Sequence, residues 1–301
     1  MTISSSGDSS RSCQILFDVF RCVKSLLQVT RNEHGVTKKM ADTSIGGPDG
    51  ITEHEQEFVK RYGERIGAGQ SAVIYARNGV VAKLYRPGQP RKQVFQEAFT
   101  LAVVSDNGIP APRVFGVETF CDRTALLMEQ IRGDTLLDIM MASPEKTEEC
   151  TDKVVELQVA MHKVETTEFR PIKLVLFGTI LSSPGLTQEE KDRLLKLMAP
   201  LPDRYSICHG DFHHGNILVE NGVYRIIDWA EVACGDPAAD AARTYMDLIV
   251  GGGGLEEMYL SKYCAASGRT REEILAWLPI MAGSMYGFMP ETAKQRLRPL
   301  F

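Results

Sequence analysis

Three oxygen-bearing side chains, Asp211, Asn216 and Asp228, lie within one short stretch of the chain. A carbonyl-type oxygen and a carboxylate held side by side suit a hard cation such as Mg²⁺, which takes few protein ligands and leaves its other positions to phosphates and water. A further carboxylate beside that pair can accept a proton from a substrate hydroxyl. Asn216 and Asp228 as metal ligands and Asp211 as the catalytic carboxylate are therefore the parts that phosphoryl transfer requires.

A predicted β-hairpin brings these side chains together. Two apolar, strand-like runs flank Asn221-Gly222, and this pair is a strong hairpin signal because a type I′ turn requires positive φ at both positions. Pairing outward from the turn brings Asn216 beside Ile227. We therefore expect Asn216 and Asp228 at the open end of the hairpin, with the catalytic carboxylate on the loop that feeds its first strand.

A glycine-containing loop earlier in the chain, I-G-A-G-Q-S-A-V-I-Y, is a second candidate phosphate-binding element. Gly67 and Gly69 remove side chains where the backbone must approach a phosphate, and Ser71 can add a hydroxyl donor. A G-x-G pair alone is weak evidence for a nucleotide site. No G-x-x-x-x-G-K-[ST] sequence occurs, so this loop is not a P-loop.

The segment that follows the loop supplies a cation and its partner. An Asn78-Gly79 turn predicts a second hairpin, in which Lys83 pairs opposite Ile74 and lies beneath the glycine loop, where an ammonium group would meet phosphate oxygens. Glu97 lies in an apolar stripe of a helix predicted over residues 91–106, where a carboxylate is costly unless it is paired. Lys83 is the obvious partner. The alternative is a solvated Glu97 at the edge of the stripe.

Together these motifs carry a family resemblance. His209-Gly210-Asp211, followed by Asn216 and Asp228, resembles the catalytic loop and metal-binding Asp of the kinase fold, in the form used by aminoglycoside and choline phosphotransferases and their small-molecule kinase relatives. The resemblance implies an α+β, bilobal, protein-kinase-like fold with a small β-rich N-terminal lobe and a larger, mostly helical C-terminal lobe. It also implies ATP and Mg²⁺ as cofactors and a small-molecule hydroxyl compound as acceptor.

The resemblance also assigns residues outside the catalytic stretch. It implies that Lys83 and Glu97 form the family's phosphate-positioning pair. It implies that Glu129 and Ile131 lie in the linker between the lobes, where the Glu129 carbonyl and the Ile131 amide would meet the adenine edge. Asp236 and Asp240 match a G-D-P-x-x-D segment that braces the catalytic loop in the family, so we expect them to be structural.

Two alternatives to a small-molecule kinase remain. A pseudokinase would bind nucleotide without turnover, and against it every charged catalytic position is filled. A protein kinase is disfavoured because Gly210 replaces the usual Arg and no A-P-E sequence follows Asp228. The segment also contains Cys208, His209, His213 and His214, but they are too close together for a normal zinc site and have no second Cys/His pair. We expect His209 to anchor the loop backbone, and His213 to lie near the transferred phosphate or on the surface.

The chain divides into three predicted regions. Residues 1–50 form an extension with an amphipathic helix and a linker, residues 51–131 the nucleotide-binding lobe, and residues 132–301 the catalytic and substrate-binding lobe. The apolar positions of residues 13–29 recur at helical spacing, which suits packing on the chain's own domain, contact with a partner or a membrane surface. Met40 is an alternative start.

Composition narrows the possible partners and the compartment. The 301 residues include 34 basic and 39 acidic residues, giving a net charge of −5 without a basic block, which disfavours nucleic acid as a partner. The seven cysteines are dispersed and never C-x-x-C, which fits a reducing compartment, so we expect a cytoplasmic protein. No apolar run approaches the length of about 20 residues that spans a bilayer.

The acceptor is left open between an aminoglycoside-like compound, an amino alcohol and a sugar. Family members that modify antibiotics tend to present acidic residues to polycationic aminoglycosides, whereas the C-terminal tail of this chain is basic. Helix-cap and surface roles explain most of the carboxylates available in the second lobe. These are Glu231, Asp247, Glu256, Glu257, Glu272, Glu273 and Glu291.

Overall fold

The computed structural model describes residues 53–301 except 70 and 122, so the helix predicted within residues 13–29 lies outside the described residues. The N-terminal part is a five-stranded antiparallel sheet in the order β1-β2-β3-β5-β4 with a helix on each face. Its elements are α1 (Glu53–Tyr62), β1 (Glu64–Ala68), β2 (Ala72–Arg77), β3 (Val80–Tyr85), α2 (Arg91–Asp106), β4 (Val114–Phe120) and β5 (Arg123–Glu129).

Alternation along the strands explains this layering, because successive side chains of a strand point to opposite faces of the sheet. On one face Leu84 and Tyr75 pack with Phe58 and Tyr62 of α1. On the other face Tyr85 and its neighbours pack with the apolar stripe of α2. Lys83 shares this second face with Tyr85, so the strand pattern directs the ammonium group towards α2.

The remainder of the chain is mostly helical around short strands. Its helices are α3 (Leu136–Ala142), α4 (Thr147–Met161), α5 (Ile172–Ser182), α6 (Gln188–Met198), α7 (Pro237–Gly251), α8 (Glu256–Ser267), α9 (Arg271–Leu275), α10 (Leu278–Tyr286) and α11 (Glu291–Leu297). Its strands are β6 (Asp134–Thr135), β7 (Ser206–Cys208), β8 (Ile217–Glu220), β9 (Val223–Ile226) and β10 (Ala233–Gly235). The expected division into a β-rich part and a helical part is confirmed.

Helix α7 is the centre of the helical part. All of its residues except Ile249 are buried, and α8, α9, α10 and α11 pack around it. Asp236 caps its N-terminus by accepting a hydrogen bond from the Ala238 N–H at 3.3 Å, and Pro237 occupies the first turn. The Ala-rich N-terminal half lets neighbouring elements approach α7 closely, so its polar residues are enclosed by the surrounding helices and strands.

The two hairpins have the register that their turns predict. Ile74 pairs with Lys83 across β2 and β3, and Glu220 pairs with Val223 across β8 and β9. The Ile227 N–H donates to the Asn216 carbonyl at 2.9 Å, which places Asn216 at the open end of its hairpin. Within the part of the chain that the structure describes, no helix has both the length and the apolar character needed to cross a bilayer.

Candidate active site

Asp211 and Asn216 are joined at the open end of the β8-β9 hairpin. Asn216 Nδ2 donates to the Asp211 carbonyl oxygen at 2.8 Å and to Asp211 Oδ2 at 3.1 Å. Both residues are buried. The two bonds fix the orientation of the Asn216 amide: Nδ2 faces Asp211, and Oδ1 faces away from it.

Cationic and polar neighbours keep the Asp211 carboxylate ionised. Burial alone would raise the pKa of Asp211, but His213 and Arg243 hold that pKa far below its ordinary value. Arg243 Nη2 lies 3.5 Å from Asp211 Oδ1, and His213 Nε2 lies 3.7 Å from Oδ2. The Gly215 N–H donates to His213 Nδ1 at 3.0 Å, and His213 Nε2 lies 3.2 Å from Asn216 Nδ2, so the imidazole is held beside both Asn216 and Asp211.

The loop that carries Asp211 is braced by buried side chains. The Asp211 N–H donates to His209 Nδ1 at 3.2 Å, so His209 Nε2 is the donor to the Ile227 carbonyl at 3.1 Å. Burial lowers the pKa of His209, which agrees with this neutral tautomer. Asp240 Oδ1 accepts from the Gly210 N–H at 2.7 Å. The expected anchoring role of His209 is therefore present, and Asp240 contacts the loop directly.

Gly210 is required by the backbone at this point. Its φ is +79°, and a Cβ there would lie 2.5 Å from the Glu231 carbonyl oxygen and 2.9 Å from the Glu231 Cβ. An Arg at this position would meet the turn that follows Asp228. The glycine that stands where protein kinases have Arg thus has a local steric cause.

Lys83 and Glu97 form an ion pair beneath the glycine loop. Lys83 Nζ lies 2.7 Å from Glu97 Oε1 and 2.9 Å from Oε2, and the Tyr85 hydroxyl also hydrogen-bonds Oε2. Burial alone would lower the pKa of Lys83, but the charge of Glu97, with Tyr85 and Asp228, raises it above the ordinary value. Lys83 is therefore a fixed cation, and the solvated alternative for Glu97 is not observed.

A cavity of about 400 Å³ lies between the five-stranded sheet and the β8-β9 hairpin. Most of the predicted nucleotide-binding residues line this cavity. Gly67 does not line it, but its two chain neighbours, Ile66 and Ala68, do. A Cβ at Gly67 would meet only Ile74 atoms at 3.7 Å or more, so the fold itself does not require glycine there. The predicted residues in the lining are Gly69, Ser71, Lys83, Glu97, Glu129, Ile131 and Asp228.

Asp228 lies in the wall of this cavity, directly after Ile227, whose carbonyl accepts from His209 of the catalytic loop. Its φ is +66°, a left-handed conformation that is uncommon for a residue with a side chain and that is concentrated at functional sites. The conformation starts the turn Trp229–Glu231 and leaves Asp228 in the wall that also contains Lys83. One carboxylate from Asp228 and one amide oxygen from Asn216 fit the sparse oxygen set that Mg²⁺ takes from proteins.

The sequence motifs do not single out Arg243 as a site residue. Its Nε lies 2.8 Å from Asp247 Oδ2, while Nη2 faces Asp211. Burial raises the pKa of Asp247 to about 6, with Asp211 adding to the shift and Arg243 opposing it. The available signal was an Arg four residues before an Asp within an Ala-rich helix, a spacing that places both on one face.

A second cavity of about 440 Å³ opens beside the loop on the side of α5 and α10. Gly210 and Arg243 line it, whereas the first cavity is lined by Asp228. Asp211 contacts Arg243 on one side and Asn216 on the other. Asn216 in turn bonds through its carbonyl to Ile227 in the wall of the first cavity, so Asp211 is linked to both walls through its neighbours.

The Cys/His group near the loop is dispersed into separate structural contacts. Cys208 lies in β7, and burial raises its pKa well above the ordinary thiol value. His214 Nε2 lies 3.2 Å from the Thr151 hydroxyl. His213 is buried beside Asp211, so of the two positions considered for it the surface position is not the one observed.

A sequence model of the phosphotransferase enzyme family (APH) matches residues 63–277. This range contains every lining residue of the first cavity, and every lining residue of the second except those in α10 and the turn after it. The chain belongs to this family. It is therefore a phosphotransferase enzyme of the small-molecule class, and the predicted family resemblance is confirmed.

Solved structures of the same fold accompany the family match. A thermostable mutant of aminoglycoside phosphotransferase APH(4)-Ia, in ternary complex with AMP-PNP and hygromycin B, is 16% identical, with 83% of this phosphotransferase and 97% of that chain covered at a TM-score of 0.62. Aminoglycoside phosphotransferase APH(3'')-Id from Streptomyces rimosus, in complex with ADP and streptomycin, is 18% identical, with 72% and 92% covered and a TM-score of 0.54. A choline/ethanolamine kinase family protein from Mesorhizobium loti is 15% identical, with 79% and 87% covered and a TM-score of 0.56. At these identities the similarity establishes the protein-kinase-like fold.

Proposed function

We propose that this phosphotransferase moves the γ-phosphate of ATP, bound with Mg²⁺, to a hydroxyl group of a small molecule. The observation that carries the proposal is the position of Asp211. It contacts Arg243 in the wall of the second cavity and Asn216, whose carbonyl accepts from the N–H of Ile227 in the wall of the first. In this proposal the first cavity holds the nucleotide and the second holds the acceptor. Its cysteines are dispersed and never form a C-x-x-C pair, which suits a reducing compartment and supports a cytoplasmic location.

Each predicted residue has a role in the nucleotide cavity. The backbone at Gly67 and Gly69 and the hydroxyl of Ser71 would face the phosphates, and Lys83, held by Glu97, would neutralise phosphate oxygens. The backbone at Glu129 and Ile131 would meet the base. Asn216 and Asp228 would hold Mg²⁺, which when bound supplies positive charge to the phosphate oxygens.

Asp211 would orient the acceptor and take its proton. The acceptor oxygen forms a bond to the γ-phosphorus as the bond from that phosphorus to the β–γ bridging oxygen breaks, and ADP leaves. The hydroxyl proton passes to an Asp211 oxygen. Because the pKa of Asp211 is held low, the carboxylate is available as an acceptor at neutral pH and acts mainly by positioning.

The decisive experiment measures phosphate transfer from Mg-ATP, with a panel of alcohols and with water as acceptors. Asp211→Asn is expected to lower turnover by about 10²- to 10⁴-fold while nucleotide affinity is retained. Equal turnover in the variant would contradict the role of Asp211. Binding of Mg-ATP without turnover on any acceptor, water included, would favour the pseudokinase alternative, and failure to bind Mg-ATP would exclude the kinase proposal.

A further inference from the structure

The second cavity has a predominantly apolar wall. Its volume of about 440 Å³ is within the range of pockets that enclose small organic molecules. The apolar side chains come from the start of α5 and from α10 and the turn after it. They are Ile172, Val175, Leu176, Met281, Met285 and Phe288.

Charged side chains in the wall of this cavity are mostly committed to the protein. Asp240 accepts from the Gly210 N–H at 2.7 Å and from Gln158 Nε2 at 3.1 Å, and it lies 2.9 Å from His162 Nε2. Arg243 is shared by Asp211 and Asp247. Neither group is available to neutralise a charge on a ligand.

Two further charged residues line the wall, and their charges are opposite. Arg170 is exposed, and its guanidinium makes no ion pair with the part of the chain that the structure describes. Glu231 is the other. The wall therefore carries no surplus of negative charge.

Three of the other carboxylates considered for a polycation are engaged elsewhere, and Glu256 and Glu272 do not line the cavity. Glu257 is paired with Arg271 at 2.6 Å. Glu273 caps the N-terminus of α9, and Glu291 lies 3.4 Å from Lys294. None of these three lines the cavity, so a ligand with several ammonium groups would lose hydration there without matching carboxylates.

We propose that the second cavity binds an alcohol with an apolar body and at most one charged group, that group being an anion placed near Arg170. The apolar body would pack against the α5 and α10 side chains, and the hydroxyl would face Asp211. A polycationic acceptor does not match this wall. The assignment rests on the phosphotransfer proposed above, because that reaction makes the second cavity the acceptor site.

The test compares four compounds. Three are aryl-alkyl alcohols of equal length: one is uncharged, one carries a carboxylate and one carries a quaternary ammonium group. The fourth is streptomycin, a polycation. Calorimetry measures binding to the full chain in the presence of ADP and Mg²⁺, and phosphate transfer is followed separately with Mg-ATP. We expect the neutral and carboxylate alcohols to bind at least about tenfold more tightly than streptomycin. Arg170→Gln is expected to weaken only the carboxylate alcohol, by about three- to tenfold.

A pair of phenylalanine variants locates the binding site. Phe288→Ala should weaken the neutral alcohol by about ten- to a hundredfold, because it removes an aromatic side chain from the wall. Phe177→Ala, on α5 but outside the wall and 45% exposed, should leave the affinity unchanged. Equal effects of the two variants would overturn the assignment of the cavity.

The outcomes separate this inference from the reaction on which it rests. Tighter binding and Asp211-dependent phosphorylation of streptomycin would keep the phosphotransferase reaction and overturn the acceptor class. Binding of none of the four compounds would also overturn that class. The neutral alcohol could also bind tightly, in a way that depends on Phe288, without being phosphorylated. That outcome would support the assignment of the cavity as a binding site and contradict the proposed phosphate transfer.

Discussion

Asp211, Arg243 and Asp247 form a buried group in which one guanidinium serves two carboxylates. Arg243 is 2.8 Å from Asp247 and 3.5 Å from Asp211, and all three residues are buried. The pKa of Asp211 is lowered, whereas that of Asp247 is raised to about 6. The carboxylate nearest the proposed reaction is therefore ionised at neutral pH, while burial, with the like charge of Asp211, raises the pKa of Asp247.

The raised pKa of Asp247 gives a stability difference with a definite sign. A group whose folded pKa is above its unfolded value stabilises the protein below the unfolded pKa, and this contribution is lost as pH rises through the folded pKa. For Asp247 the window runs from 3.8 to about 6. Across it, the free energy of unfolding of the wild type relative to Asp247→Asn should fall by about 1–3 kcal/mol, as measured by urea unfolding. A difference that rises with pH would contradict this charge assignment.

Glu97 is expected to act through Lys83 and not by contact with the reacting atoms. Glu97→Gln removes the charge that holds the ammonium group and weakens two hydrogen bonds, so kcat/KM for Mg-ATP should fall about ten- to a hundredfold. Glu118→Gln is the matched control, because Glu118 pairs with Arg61 at 2.8 Å on the same sheet and outside both cavities. Steady-state kinetics at varied ATP concentration would show whether the two variants differ.

At the level of the elements, local sequence patterns predict the two hairpins and the contacts that depend on them. Asn-Gly turns determine the register, and the register alone places Lys83 opposite Ile74 and Asn216 beside Ile227. Arg243 could not be placed in this way, because its contact with Asp211 joins α7 to a loop 32 residues earlier. Such a contact depends on how α7 is buried and not on any local period.

Gly210 provides a test of how tightly the loop is built. Gly210→Ala adds both a positive-φ penalty and a collision with the Glu231 carbonyl, whereas Gly222→Ala adds only the penalty, since φ is +77° there and nothing lies within 4 Å of the new Cβ. Chemical denaturation should show a loss of about 1 kcal/mol for Gly222→Ala and about 2–4 kcal/mol for Gly210→Ala. Equal losses would mean that the turn after Asp228 moves aside easily.

For the whole molecule, the sheet and the helical part contribute to the first cavity together, while the second lies within the helical part. The first was predictable because its residues belong to short motifs. The second was not, since α5 and α10 are nearly 100 residues apart and their apolar residues look like ordinary core positions in the sequence. The sequence thus predicts the proposed chemistry better than the acceptor.

Ligand binding between sheet and helical part should stabilise the fold. At about a hundredfold excess over Kd, Mg-ATP is expected to raise Tm by about 5–10 °C, because a ligand that binds only the folded state stabilises it by about 2.7 kcal/mol at that excess. Asp228→Asn should remove the part of the shift that depends on Mg²⁺. Asp192→Asn, on α6 and outside both cavities, should retain the full shift in the same thermal unfolding assay.

Gly178 lies on α5 in the wall of the second cavity, at a position where the side chain can change freely. A Cβ at this position would meet nothing within 4 Å, and an alanine in a helix is favoured over a glycine by about 1 kcal/mol. Larger residues there would reshape the proposed acceptor cavity without disturbing α7 or the catalytic loop. Natural drift or a directed-evolution library at this single codon could therefore change substrate preference while the reaction machinery is inherited intact.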